Sequence, residues 1–133
     1  MVQGTLLGLV GLLLAFGLTM AVGRYEERRS LVVQEADDIG TTYLRAQMLS
    51  EPARTTSLAL LKEYGDAAVE LSGQVPGSRA FGNTSDRMSD LQQRLWAAAG
   101  EAMQADPTGN ASRLYIEALN PMFDVHTDRL ASL

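Results

Sequence analysis

The first 23 residues carry no charged side chain; all 11 Lys and Arg and all 16 Asp and Glu of the 133-residue chain begin at Arg24. Residues 4–23 form 20 uncharged positions, which as a helix span roughly 30 Å, the thickness of a bilayer core. Seven Leu, two Val and one Phe lie there. Together they contribute roughly −3 to −6 kcal/mol to insertion, which five Gly and two Thr offset in part. A membrane helix over 1–23, in contact with the lipid bilayer, is therefore expected. A signal peptide is the competing reading, and Ala21-Val22-Gly23 resembles a small-x-small cleavage site. The segment lacks a basic start, however, and its apolar run is longer than usual for a leader.

Two features refine this segment. Gly4, Gly8, Gly11 and Ala15 follow one another at four, three and four residues, so they share a face on which another helix can pack closely. Arg24, Arg28 and Arg29 follow the span and no Lys or Arg precedes it. The positive-inside rule then predicts a single-pass protein of the cell (inner) membrane, with its N-terminus outside and residues 24–133 cytoplasmic.

The remaining 110 residues read as all-α. Helices are expected over about 24–49, 51–72, 84–105 and 110–132, giving a small antiparallel bundle whose first helix continues the span. The first has the stripe Val32, Ala36, Ile39, Tyr43, Ala46 at four, three, four and three. Ser50 is the expected cap of the second, which carries Leu61, Tyr64, Ala68 and Leu71 on one face. Residues 73–83 hold three Gly and one Pro and read as a loop, leaving Thr84 or Ser85 to cap the third helix. That helix has Met88, Leu91, Leu95, Ala98 or Ala99, and Ala102 inward, with Trp96 beside them as a core residue. Residues 108–112 supply caps for the fourth helix, whose stripe is Ile116, Leu119, Phe123, His126, Leu130, Leu133. Pro121 interrupts it, as a kink or as a fresh start capped by Asn120.

The chemistry is sparse. With no Cys and one His, neither thiol catalysis nor a Cys-based zinc site is available. Phe123 stands three residues before His126, so the Glu-x-x-His of a di-iron bundle is missing. No phosphate loop or nucleophilic set occurs, so no catalytic residue, metal or cofactor is expected, nor an enzyme. A net charge of −5 argues against nucleic acid. His126 reads as a packed helical histidine, with a proton-linked role as the alternative. Glu35, with Asp37 and Asp38, reads as a solvated face paired to an arginine, or as an ion-attracting vestibule. Arg45 and Arg129 could partner Glu35 and Asp124.

Several ordered segments resemble the bacterial bestrophin-like domain family. They are Gly8-Leu9-Val10-Gly11-Leu12-Leu13-Leu14-Ala15-Phe16, residues 25–29, Glu35-Ala36 and Ile39-Gly40-Thr41-Thr42-Tyr43-Leu44-Arg45-Ala46. Leu61-Lys62-Glu63-Tyr64, Leu95-Trp96, and Ala118-Leu119-Asn120 with Asp124, His126 and Arg129 follow in order. The resemblance implies an integral membrane protein with a helical cytoplasmic domain, acting as a homo-oligomer in a channel or transport role, with an anion as cargo. It also implies Glu35, Arg45, Asn120, Asp124, His126 and Arg129 as the polar functional positions. Two departures stand out. Pro121 replaces a helix-compatible residue, and members of the family continue into further spans, whereas this chain ends at Leu133, as either a fragment or a truncated gene product would. The alternative from another class is a membrane-anchored sensory or scaffold bundle without transport.

Overall fold

A charge-free apolar segment followed by an amphipathic one, with no Pro before position 52, permits one uninterrupted helix. A computed structural model describes residues 2–133, with side chains from Leu7 onward. It shows that helix as α1, Val2–Ala46. Three more follow: α2 (Ala53–Ser72), α3 (Arg79–Ala105) and α4 (Asn110–Ala131). The described residues contain no strand, and the all-α bundle expected from the sequence is what forms.

The second half of α1 runs antiparallel to α4. Arg28 Nε donates to the Ser132 carbonyl at 3.0 Å, Thr42 Oγ1 to that of Ala118 at 3.3 Å, and Arg45 Nη1 to that of Leu114 at 2.9 Å. These rungs fix the register along the pair. The α1–α4 and α2–α3 pairs pack most closely, while the α1–α2 and α3–α4 seams are looser. The helices thus alternate in direction around a square, with α2 and α4 on the diagonal. Tyr64, Leu95, Tyr115, Leu119 and Met122 fill the centre, each fully buried. Burying a side chain of this size stabilises the fold by about 1.5–3 kcal/mol.

Several local expectations need correction. The third helix begins at Arg79, five residues early, because Ser78 caps it: its Oγ accepts from the Phe81 N–H at 3.1 Å. Thr84 is inside the helix, where its hydroxyl donates to the Ala80 carbonyl. The loop contracts accordingly to residues 73–78, turned by Gly77 at φ +85°, a conformation that costs a side chain energy. No side chain caps α2, which starts at Ala53. Gly109 occupies the cap position of α4, also without a side-chain cap, and a Cβ there would overlap the Asp106 carboxylate. Ser112 donates instead to the Ala102 carbonyl and joins α4 to α3.

Two stripes are rotated from their expected faces. On α1 the buried positions are Glu35, Thr42, Ala46 and Leu49 just past its end, whereas Val32, Ala36 and Tyr43 face outward. On α4, Tyr115, Ala118, Met122 and Val125 join Leu119 and His126 inside, and Leu133 is exposed. Pro121 lies within one helix and is not a fresh start. Its ring and Glu117 are both on the exposed side, so the carbonyl it frees reaches water. Trp96, expected in the core, is 48% exposed and leans on Phe123 across the α3–α4 seam, ring centroids 6.5 Å apart.

Candidate functional site: a buried ion pair between the first and last helices

A carboxylate seldom enters a core unpaired, because its desolvation must be offset by charge and hydrogen bonds. Glu35 is 1% exposed. Its Oε1 accepts from Arg129 Nη1 at 2.9 Å, and Arg129 Nη2 donates to Ser72 Oγ at 2.8 Å. One guanidinium therefore ties α1, α2 and α4 together. Glu35 Oε2 has no donor within hydrogen-bonding reach and lies 3.6 Å from His126 Nδ1, itself buried and without a partner. The edge of the His126 ring meets Tyr64, centroids 6.2 Å apart, and the Tyr64 hydroxyl accepts from Gln92 Nε2 on α3. Burial, reinforced by the Glu35 charge, pushes the Tyr64 phenol well above its ordinary range.

Three of the six sequence-predicted polar positions, Glu35, His126 and Arg129, are brought together here. Arg45 is half-buried three turns further along α1 and serves as a rung to α4. Asn120 and Asp124 are exposed. Asn120 borders a shallow recess of the α3–α4 seam with Trp96 and Phe123, and neither residue reaches Glu35. Ser72, Tyr64 and Gln92 complete the network, Thr42 forms a separate buried polar contact to α4 through the Ala118 carbonyl, and none of the four was singled out as a polar position from the sequence. Thr42 repeats Glu35 one heptad later, so a polar pair at heptad spacing was the available signal.

A groove of about 350 Å³ opens beside the ion pair, between α1 and α2. Val32, Ala36, Ile39, Ala68 and Val69 make it apolar, and Glu35 and Arg129 lie at its base. A second stretch of the same seam is lined by Ile39, Gly40, Tyr43, Leu44 and Gly65. Just outside the pair, Asp38 is pushed above the usual carboxylate range by burial, then by the charges of Asp37 and Glu35. Among the described residues no three His, Asp or Glu side chains converge as metal ligands.

The arrangement can hold register and exclude mispairing, the best-attested use of a buried ion pair. It offers no positive charge to an anion, because Glu35 already neutralises Arg129. Of the small-residue face in the span, Gly8 and Gly11 have open space around them, Ala15 is exposed, and the surroundings of Gly4 lie outside the described side chains. Comparisons with protein-family models, with curated proteins and with solved structures find no match to this chain.

Proposed function

We propose that this protein is a single-pass membrane-anchored helical bundle that works by association, as a scaffold or sensory module beneath the membrane. The carrying observation is the split character of α1. From Leu7 it is long and apolar enough to cross a membrane. Leu7, Leu14 and Leu18 are about two-thirds or more exposed and touch no other helix. An apolar surface of that extent is rare on a soluble monomer and is satisfied by lipid. The same helix continues without a break into the bundle, which supports a retained anchor over a cleaved leader. Arg24, Arg28 and Arg29 favour a cytoplasmic bundle on the inner face of the cell membrane.

The test is fractionation of the full chain with an alkaline carbonate wash, and reporters fused after Leu133. Retention in the pellet with a cytoplasmic signal supports the reading. Release by carbonate overturns the anchor, and an external signal overturns the orientation.

A channel component for anions is the second reading, favoured by the bestrophin-like resemblance and by the open small-residue face at Gly8 and Gly11. With one span per chain it requires several copies around a pore. Efflux from anion-loaded liposomes above that from empty vesicles supports it; flux equal to the control removes it.

A further inference from the structure

The face that α1 turns away from its own bundle has a regular pattern. Gly4, Gly8, Gly11 and Ala15 alternate at four and three residues, and so do Val32, Ala36, Ile39 and Tyr43. Because α1 is one helix, these sets can be compared in phase. Leu18, Val22, Tyr25 and Arg29 continue the same alternation from Ala15 to Val32. The stripe is therefore a single heptad seam from the span to Tyr43, and Ala46, next in the alternation, enters the chain's own core. A 3.5-residue repeat sustained this long is the pattern of a supercoiled helix pair.

Among the described residues the seam is mostly open; only Ile39, half-buried, leans on the chain's own core beside Gly65. Leu18 is 68% exposed, Val22 51% and Tyr25 65%. In the bundle region, Val32, Ala36 and Tyr43 form one wall of the open α1–α2 groove, whose other wall is Gly65 and Val69. From this we infer that α1 is a parallel seam onto which a second copy of this chain docks, its α1 lying along the span and entering the groove beside α2. This rests on the membrane-anchored reading, because insertion from the same side makes two copies parallel.

Three observations favour a second copy over an unrelated partner. The repeat is uninterrupted across the membrane boundary, so the matching helix must itself leave the bilayer there in the same phase. Small residues occupy its first four positions, Gly4 to Ala15, where close backbone approach drives association in a membrane, and larger ones prevail from Leu18 onward. Five heptads with four contacting positions each supply about 20 residues a side, the size of a standard stable interface. Arg29 is the one charged position of this seam.

The chain has no cysteine, so single-cysteine scanning tests this directly. Leu18→Cys, Val22→Cys, Val32→Cys and Ala36→Cys sit on the seam. Met20→Cys, Gln34→Cys and Thr41→Cys face away from it and are likewise exposed. Full-length variants in native membranes are oxidised and read as cross-linked dimer. Seam positions are expected to cross-link at least about fivefold faster than the others, in both halves of α1. Equal rates, or none in protein retained after a carbonate wash, overturn the seam. Loss of the protein to the wash overturns the anchor instead, so the two failures are distinguishable.

Discussion

Replacing Arg129 with Met would leave the Glu35 carboxylate 1% exposed with no donor to Oε1. Breaking a buried pair from one side costs about 3–5 kcal/mol. The lower end applies here, about 3 kcal/mol, because His126 Nδ1 still faces Oε2 at 3.6 Å. The reverse change, Glu35→Leu, leaves a guanidinium whose side chain is 15% exposed and still bonded to Ser72. It can reach water, so about 2 kcal/mol is expected. The double variant carries no buried charge and fills the space with apolar atoms. It should lie near wild type rather than at the sum of the singles, a coupling of about 5 kcal/mol. The measurement is a thermal melt of the full chain in detergent micelles, followed by the emission of Trp96, the only tryptophan. Arg129→Met should lower the midpoint by roughly 10–20 °C and the double variant by less. Singles within about 0.5 kcal/mol of wild type, or strictly additive losses, would refute the pair as the clamp between first and last helices.

Ser78→Ala removes the α3 cap and should cost about 1 kcal/mol in the same melt; an unchanged midpoint would show that the Ser78 hydroxyl does not hold the start of the helix. Tyr64 and Tyr115 are both pushed above the ordinary phenol value of 10.0, chiefly by burial. Above pH 10 the unfolded chain therefore holds fewer protons than the folded one, so stability falls as pH rises. Absorbance at 295 nm should show these two of the four tyrosines ionising only with unfolding; a single smooth titration of all four would contradict their burial. Asp38, with its pKa raised, has the opposite sign to a salt-bridged acid. The folded state holds the proton more tightly, so this group adds stability as pH falls toward 3.8. Asp38→Asn should raise the midpoint at pH 7 and flatten that acid-side gain; an unchanged profile would show that the burial of Asp38 is inconsequential.

The fold was largely legible because its signals are periodic and local. The charge-free start, and the faces of α2 and α3 with Leu61, Tyr64, Met88, Leu91 and Leu95, follow from spacing alone. The two misread faces share a cause. On α1 the apolar stripe is real, but its own bundle takes only Ala46 and part of Ile39 from it and buries Glu35 and Thr42 beside it, so hydrophobicity pointed partly to the wrong neighbour. On α4, alanine and serine lie among the inward positions and Ile116 and Leu130 flank them, so the strongest residues are off-centre. The candidate site was legible as residues and not as a site. Glu35 and Arg129 stand 94 positions apart, and nothing local distinguishes an arginine that turns inward from one that faces water. The start of α3 was available in Pro76-Gly77-Ser78, a turn followed by a cap, and was masked by the glycine and asparagine just after it.

The continuity of α1 has a mechanical consequence. With its apolar half in the bilayer, as proposed, the helix would enter the bundle without a loop and so without a free joint, as a shaft. Arg28 is already fastened to the Ser132 carbonyl, and Glu35 follows about 18 Å beyond Gly23. Any turn of the span about its axis is therefore delivered to the Glu35–Arg129 clamp with little slack. Adding one residue between Gly23 and Arg28 would swing the bundle by about 100° relative to the membrane segment, and adding seven would bring it back to within ~20°.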